Sequence, residues 1–264
     1  MPMNVFPRMG AYRIDVEDSR DMLFGVLRTQ LTLTVIPVDE HILPVTTPVS
    51  DQGDVGSCVC NAACDAVELL SGINPVQLSR LDLYWKCRAQ LGEEDKDEGT
   101  YPRTAFSQFS KVGVSRESLW PYDTKKVFVR PPIAALEDGY NHRITGYFRI
   151  NSTGAAREEE IRHAILTGHP VVFGTDVGQP FCDYVGNDEN LVWNYPAHSV
   201  GGHAMVIVGF RKRQNGEYDY LIRNSWGTGW GSRVHPGHAW ASSGWVRTFT
   251  DLWVPTQTWQ GKNV

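Results

Sequence analysis

Apolar and polar positions follow two different periods along this chain. Over residues 58–70, CVCNAACDAVELL, the apolar side chains Val59, Ala62, Ala63, Ala66, Val67 and Leu70 form one wide stripe at helical period. Ser57 stands where an N-cap belongs, and Gly72 where the helix should stop. The small alanines predict a helix packed closely inside the protein. Two more helices are predicted near 78–91 (LSRLDLYWKCRAQL) and near 102–112, and SLWPYD, 118–123, reads as a turn. From about residue 143 the period changes. RITGYFRI (143–150) and HPVVFGTDV (169–177) are strand-like, and GAAREEEIRHAILTG between them reads as a helix closed by Gly168. HAMVIVGF, 203–210, is a continuous apolar run, the pattern of a strand buried on both faces. YDYLIR, 218–223, is the next strand. Near the start, LTLTVI (31–36) alternates as a short strand, and prolines at 37, 44 and 48 force an extended surface path to Gln52. A helical first half and a β-rich second half predict an α+β fold with two lobes.

The 264 residues are 41% hydrophobic, which is globular composition, and no internal repeat is visible. A formal net charge of −5 without a basic patch argues against a nucleic-acid partner. No apolar stretch has the length of a signal peptide or a bilayer span, so no membrane partner and a cytoplasmic location are expected, with delivery by another route left open. The longest charge cluster, Glu93-Glu94-Asp95-Lys96-Asp97-Glu98, reads as a solvated loop, with a cation or partner site as the alternative.

The stretch QGDVGSCVCNAAC, 52–64, holds three of the five cysteines. Five is odd and too few for a disulfide scaffold. On a helix Cys60 and Cys64 share a face that Cys58 does not, so no metal site is expected here. His235-Pro236-Gly237-His238 reads as a loop without further ligands. Cys58 itself falls in the first helical turn, where free N–H groups and the helix dipole favour a thiolate. Its proton partner must come from elsewhere. His203 follows Gly201-Gly202 and begins the buried strand, and Asn224 ends the next one. A hairpin with Arg211–Gly216 as its loop would set 203 opposite 224. A tight Asn215-Gly216 turn would shift that register by about four residues.

NSWGTGWG, 224–231, makes the pattern specific. Together, QG-x-x-GSC (52–58), GGHA (201–204) and NSWGTGWG resemble the papain-like cysteine peptidases, in detail the compact bacterial or phage-type members. Cys58 and His203 are 145 residues apart, inside the family's rough 130–150 span, and Asn224 lies 166 from Cys58. The resemblance covers roughly 36–264. It implies a peptidase domain over 31–264, preceded by an N-terminal extension, 1–30. The helical lobe would span about 50–140. A β-barrel-like lobe would take about 141–264 plus 31–49, with the active site in the cleft between them.

The resemblance also implies roles. Cys58 would be the nucleophile and His203 the acid and base. Asn224 would orient His203, and Gln52 would share an oxyanion hole with the Cys58 N–H. Gly99, Thr100, Tyr101, Pro102 and Gly202 would bind substrate, Tyr101 and Pro102 lining the pocket for the second residue before the cleaved bond. Trp226 would shield the His203–Asn224 pair. The expected function is peptide-bond hydrolysis through a thioester, with a peptide or protein as partner and no cofactor. Acyl transfer, isopeptide cleavage and a non-catalytic peptide-binding module remain the alternatives. Val59, Val55, Cys60 and Thr100 depart from the family pattern, which puts substrate preference in doubt. Residues 1–30 are too short for a helical pro-domain; they would be a strap over the β lobe or cleft, or an extension with no regulatory role. Trp240, Trp245, Trp253 and Trp259 are expected to pack on the core or line the cleft rim.

Overall fold

The computed structural model describes residues 9–29, 31, 38–72, 75–186 and 191–260. Residues 32–36 of the expected first strand lie outside these. Described helices are α1 Phe24–Arg28, α2 Cys58–Leu70, α3 Arg80–Leu91, α4 Pro102–Lys111, α5 Ile133–Asp138, α6 Gly154–Leu166, α7 Gln179–Cys182 and α8 Ser243–Val246. Described strands are β1 Glu40–Ile42, β2 His142–Ile150, β3 Val171–Val177, β4 Val185–Gly186, β5 Val192–Trp193, β6 Gly201–Lys212, β7 Tyr218–Arg223, β8 Gly231–Ser232, β9 His238–Ser242 and β10 Thr250–Gln260.

One sheet organises the second half, in the order β2-β10-β3-β6-β7-β9-β5, with β1 added on β6. It stays open among the described residues: β2 and β5 end the order unpaired with each other, so the barrel-like lobe is a sheet and not a closed barrel. Strand β6 is buried on both faces, as its unbroken apolar run requires. Ala204, Val206 and Val208 join a core with the helices α2, α3 and α4. Met205, Ile207 and Phe210 join a second core with α6 and the tryptophans. Trp240 and Trp253 belong to the first core and Trp245 to the second.

Several local expectations are corrected. Ser57 holds the N-cap position, yet its hydroxyl bonds the Tyr122 hydroxyl at 2.7 Å and the Asn61 amide at 2.9 Å instead of a helix amide. His203 is not directly opposite Asn224. The β6–β7 ladder pairs Val206 with Arg223, and a register shift between Ile207 and Gly209 adds a bulge. The residues around Asn215-Gly216 form a turn closed by the Arg213 N–H to Glu217 O bond. By extension of that register Asn224 faces Met205, and His203 pairs instead with Thr175 on β3. His238 opens β9 rather than sitting in a loop, and its ring Nδ1–H donates to Pro236 O at 2.8 Å.

The helices and the sheet are joined by charge as well as by oil. Asp65 of α2 takes Arg80 of α3 on one oxygen at 2.6 Å and Arg223 of β7 on the other at 2.9 Å. Arg223 also donates to the Thr47 and Pro48 carbonyls of the extended path. All three charged groups are buried. Removing the shared carboxylate leaves the buried Arg223 without a charged partner, while Arg80 keeps Glu68 at 2.6 Å. Asp65→Ala is therefore expected to cost about 3–5 kcal/mol, read as a lowered urea midpoint against wild type.

Candidate active site

The site forms where α2 meets the start of β6. Cys58 is the first residue of α2, so its backbone N–H is among those a helix cannot satisfy internally. The α2 helix packs on β6. The backbone amide of Ala204, the residue after His203, is the leading group that favours the Cys58 thiolate. His203 Nε2 lies 2.7 Å from Asn224 Oδ1. That same oxygen accepts the Ser225 N–H at 2.8 Å, which fixes the way the Asn224 amide faces. Nε2 must then carry the proton, and the other ring nitrogen, Nδ1, is bare in the neutral imidazole. Nδ1 is buried with no hydrogen-bond partner among the described residues.

Trp226 covers this pair. Its ring stacks on His203 with centroids 4.5 Å apart and planes 24° apart. Phe181 stands edge-on to Trp193, Trp226, Trp230 and Trp245, locking the cover into the second core. Gln52 sits on the seam: its N–H donates to Ser225 O at 2.9 Å and its Oε1 accepts the Ser225 hydroxyl at 2.7 Å. Its Nε2 donates to Val55 O at 3.0 Å. The structure thus brings Gln52, Asn224 and Ser225 into one hydrogen-bonded set.

Cys58, His203 and Gln52 all have 0% relative exposure. Residues 10–15 run across the walls that flank these residues. The Gly10 N–H donates to Gly202 O at 3.1 Å on the sheet side. On the helical side Thr100 N donates to Ala11 O at 3.2 Å and Arg13 N to Thr100 O at 3.1 Å, a parallel bridge centred on Tyr12. The segment therefore spans both walls, contacting Gly99, Thr100 and Gly202 of the expected substrate-binding set. A Cβ on Gly99 would come within 1.6 Å of Ala11 O. Arg13 lies over the Tyr101 ring, and Pro102 is buried at the first position of α4.

The acidic cluster is more than a solvated loop. Arg13 reaches Glu93 at 2.8 Å and Glu98 at 3.3 Å, and Asp97 accepts the Gly56 N–H and the Tyr84 hydroxyl. A second set of charges holds the segment further along. Asp15 accepts the Arg103 N–H and the Trp253 indole N–H; Asp21 pairs with Arg103 and Arg149; Asp251 pairs with Arg149 and accepts the Asp15 N–H.

Burial shifts the reactive groups toward neutrality. It pushes the Cys58 thiol up to about 11 and the His203 imidazole down to about 4, the latter against the pull of Asn224. Asp15 is pushed up to about 6, by burial first and the nearby Asp251 second.

Sequence reasoning did not find Tyr12, Asp15, Phe181 or Asp251. One signal was present. Gly174 lies inside strand β3, and a glycine inside a strand marks close approach. The Tyr12 ring lies 2.0 Å from where its Cβ would be. Among the described residues no group of three or more His, Cys, Asp or Glu could hold a metal ion. No helix among them is long and apolar enough to cross a membrane.

Comparison with known proteins identifies the family. The chain is 34% identical over 200 residues to an uncharacterized peptidase C1-like protein of Acanthamoeba polyphaga mimivirus, covering 72% of this chain and 63% of that one. It is 28% identical over 202 residues to papain of Carica papaya, covering 74% and 52%. The chain thus spans about half to two thirds of the length of these curated relatives. In fold it is similar to xylellain, a cysteine protease from Xylella fastidiosa, with a TM-score of 0.75 at 25% identity over 95% of this chain and 97% of that one. The description of the papain family of cysteine proteases matches residues 39–248, and the chain belongs to that family.

Proposed function

We propose that the protein is a cysteine peptidase that hydrolyses peptide bonds through Cys58, His203 and Asn224, held shut in this structure by residues 10–15. The observation that carries the reading is the tautomer of His203. With Nε2–H spent on Asn224 Oδ1, bare Nδ1 is the ring atom free to take the thiol proton. The Cys58 thiolate then attacks the carbonyl carbon. The tetrahedral oxyanion accepts from the Cys58 N–H and from the Gln52 amide hydrogen not given to Val55. His203 returns its proton to the leaving amine as the C–N bond breaks, which leaves a thioester on Cys58. Water enters, loses a proton to Nδ1, and attacks the thioester carbon. The acid leaves and the thiol is restored. Asn224 keeps the ring in the working tautomer throughout, and Trp226 keeps water off that bond.

The segment 10–15 acts in two ways on this reading. It fills the path of a substrate, and it removes the water that would support a thiolate beside an imidazolium. The pairing with Glu93 and Glu98 at Arg13, and with Arg103 and Trp253 at Asp15, holds it in place.

Intact-mass labelling with a peptidyl epoxide tests the reading. A chain lacking residues 1–16 is expected to take one adduct, Cys58→Ala in that background none, and the full chain to label at least about tenfold more slowly. A folded truncated chain that takes no adduct on Cys58 overturns the peptidase reading; equal rates overturn the role of the strap.

The closed state also has a pH signature. Asp15 holds its proton more tightly when docked, so its contribution to closure is full below its free value near 4 and lost as pH rises through about 6. His203 does the reverse: docking depresses it, so closure weakens as pH falls below its free value near 6.5. The two oppose each other. Asp15→Asn is expected to leave His203 unopposed. The ratio of wild-type to variant protection at amides 10 and 13, by hydrogen exchange corrected for intrinsic rates, should rise about tenfold from pH 7 to pH 4. A ratio independent of pH would remove Asp15 from the latch.

A further inference from the structure

The strap is held by its backbone at Gly202 and Thr100, contacts that any sequence could make. Beside the Arg13 and Asp15 contacts, one further side chain enters the wall of the site. Tyr12 inserts its ring beside the site into a slot whose walls are missing two side chains. A Cβ on Gly174 would lie 2.0 Å from Tyr12 Cζ, and a Cβ on Gly202 would lie 3.1 Å from Tyr12 Cδ1. These positions sit at the level of the catalytic histidine, because β3 and β6 pair Gly174 with Ala204 and Thr175 with His203. The slot is flat, deep and closed by a charge. At its end the Tyr12 hydroxyl donates to Asp251 Oδ2 at 2.6 Å and lies 2.7 Å from Thr250 Oγ1.

From this geometry we infer that Asp251 is a specificity-determining residue, and that the slot Tyr12 now fills selects peptide substrates carrying a tyrosine at the position that enters it. The inference rests on the peptidase reading above and names the substrate class for that same site. Three features favour a phenol over the other side chains that could reach. The missing Cβ atoms make room for a flat ring. A phenylalanine would set an apolar edge against Asp251 Oδ2, which here accepts both the Tyr12 hydroxyl and the Asp15 N–H, and the stronger of its two bonds would be lost. An arginine or lysine would bring a cation to a carboxylate whose other oxygen already holds Arg149 at 2.9 Å, with Arg103 close by. A neutral donor joins the Asp15 N–H on the other oxygen without adding a further positive charge. A site built to bond a substrate hydroxyl discriminates strongly against the analogue that lacks it.

Asp251 can be tested without straining the backbone. It is the one described non-glycine residue with positive φ, at 48°, so glycine takes its place comfortably. The full chain is given peptide libraries in which tyrosine, phenylalanine or arginine is fixed in turn at each position around the cleaved bond. Competition from the strap lowers every rate equally, so ratios report the slot alone. One position is expected to show kcat/KM at least about tenfold higher for tyrosine than for phenylalanine or arginine, and Asp251→Gly to bring that ratio near one. Equal rates for tyrosine and phenylalanine at every position, or a preference for arginine there, overturns the inference. A second readout needs no turnover. Tyr12→Phe should lower the hydrogen-exchange protection of amides 10 and 13 about tenfold in the wild-type background, and much less in the Asp251→Gly background. Unchanged protection in Tyr12→Phe overturns the inference. Hydrolysis lost altogether, with Cys58 unlabelled in the folded strap-free chain, counts instead against the peptidase reading.

Discussion

The seating of α2 against β6 is the constraint on which the site depends. Alanines at 62, 63 and 66 let this helix pack closely in a core that also holds Ala204, Val206 and Val208. Dispersion alone would tolerate sliding, since an apolar helix face has no preferred register. Asp65 removes that freedom by holding Arg80 and Arg223 at once, one from the neighbouring helix and one from β7. Arg223 immediately precedes Asn224. The ion pair that locates the helix therefore also locates the residue that orients His203. Cys58 lies at the start of α2 and His203 near the start of β6. An end-to-end placement brings the Cys58 thiol to the backbone amide of Ala204, the residue after His203, without interrupting either element.

The same burial that makes the structure compact silences the chemistry in it. An ion pair of thiolate and imidazolium needs solvation or strong local donors, and the closed site offers the thiol chiefly the Ala204 amide. Both groups consequently move to their neutral forms. On the proposed reading the strap would act as an electrostatic device as much as a plug, changing the medium around Cys58 and His203. The strap's own carboxylates carry a related cost. Asp15 is buried beside Asp251, so closure holds two like charges near each other against two arginines and an indole. Such a balance is easily tilted, which suits a segment that must come away.

How much of this was legible in the sequence follows from the range of each interaction. Helix α2, strands β6 and β7, and the grouping of Cys58, His203, Asn224 and Gln52 were readable because period and motif are local signals. The exact opposition of residues 203 and 224 was not, because a bulge at Ile207–Gly209 and the turn at Asn215-Gly216 set the register jointly. The lobe was expected to be barrel-like, and that its sheet stays open among the described residues was not readable, since strand order depends on pairings that no single segment encodes. The long β10 went unseen: Pro255 inside it argues against a central strand, and only the pairing with β2 and β3 reveals it. Tyr12, Asp15 and Asp251 were invisible for another reason. Their contacts join positions more than two hundred residues apart, and each looks like an ordinary surface residue in its own neighbourhood.

A strap that shares a path with substrate must be weak enough to leave and specific enough to return. Backbone pairing with Thr100 and Gly202 gives the first property, since those bonds exchange readily with water and with any other peptide. Recognition must then come from side chains. Arg13 meets the exposed Glu98, where solvent screens most of the gain, and the half-buried Glu93. Tyr12 meets a buried one, where the bond to a charged acceptor keeps its strength and a missing partner is costly. The buried side-chain contacts of closure are therefore this phenol–carboxylate bond, in the wall beside His203, and the Asp15 carboxylate that meets Trp253 and Arg103. A substrate able to make the same bond competes with the strap on equal terms; one that cannot must displace it on backbone contacts alone. On the proposed reading, the slot that ranks substrates would in this way also decide which of them can open the site.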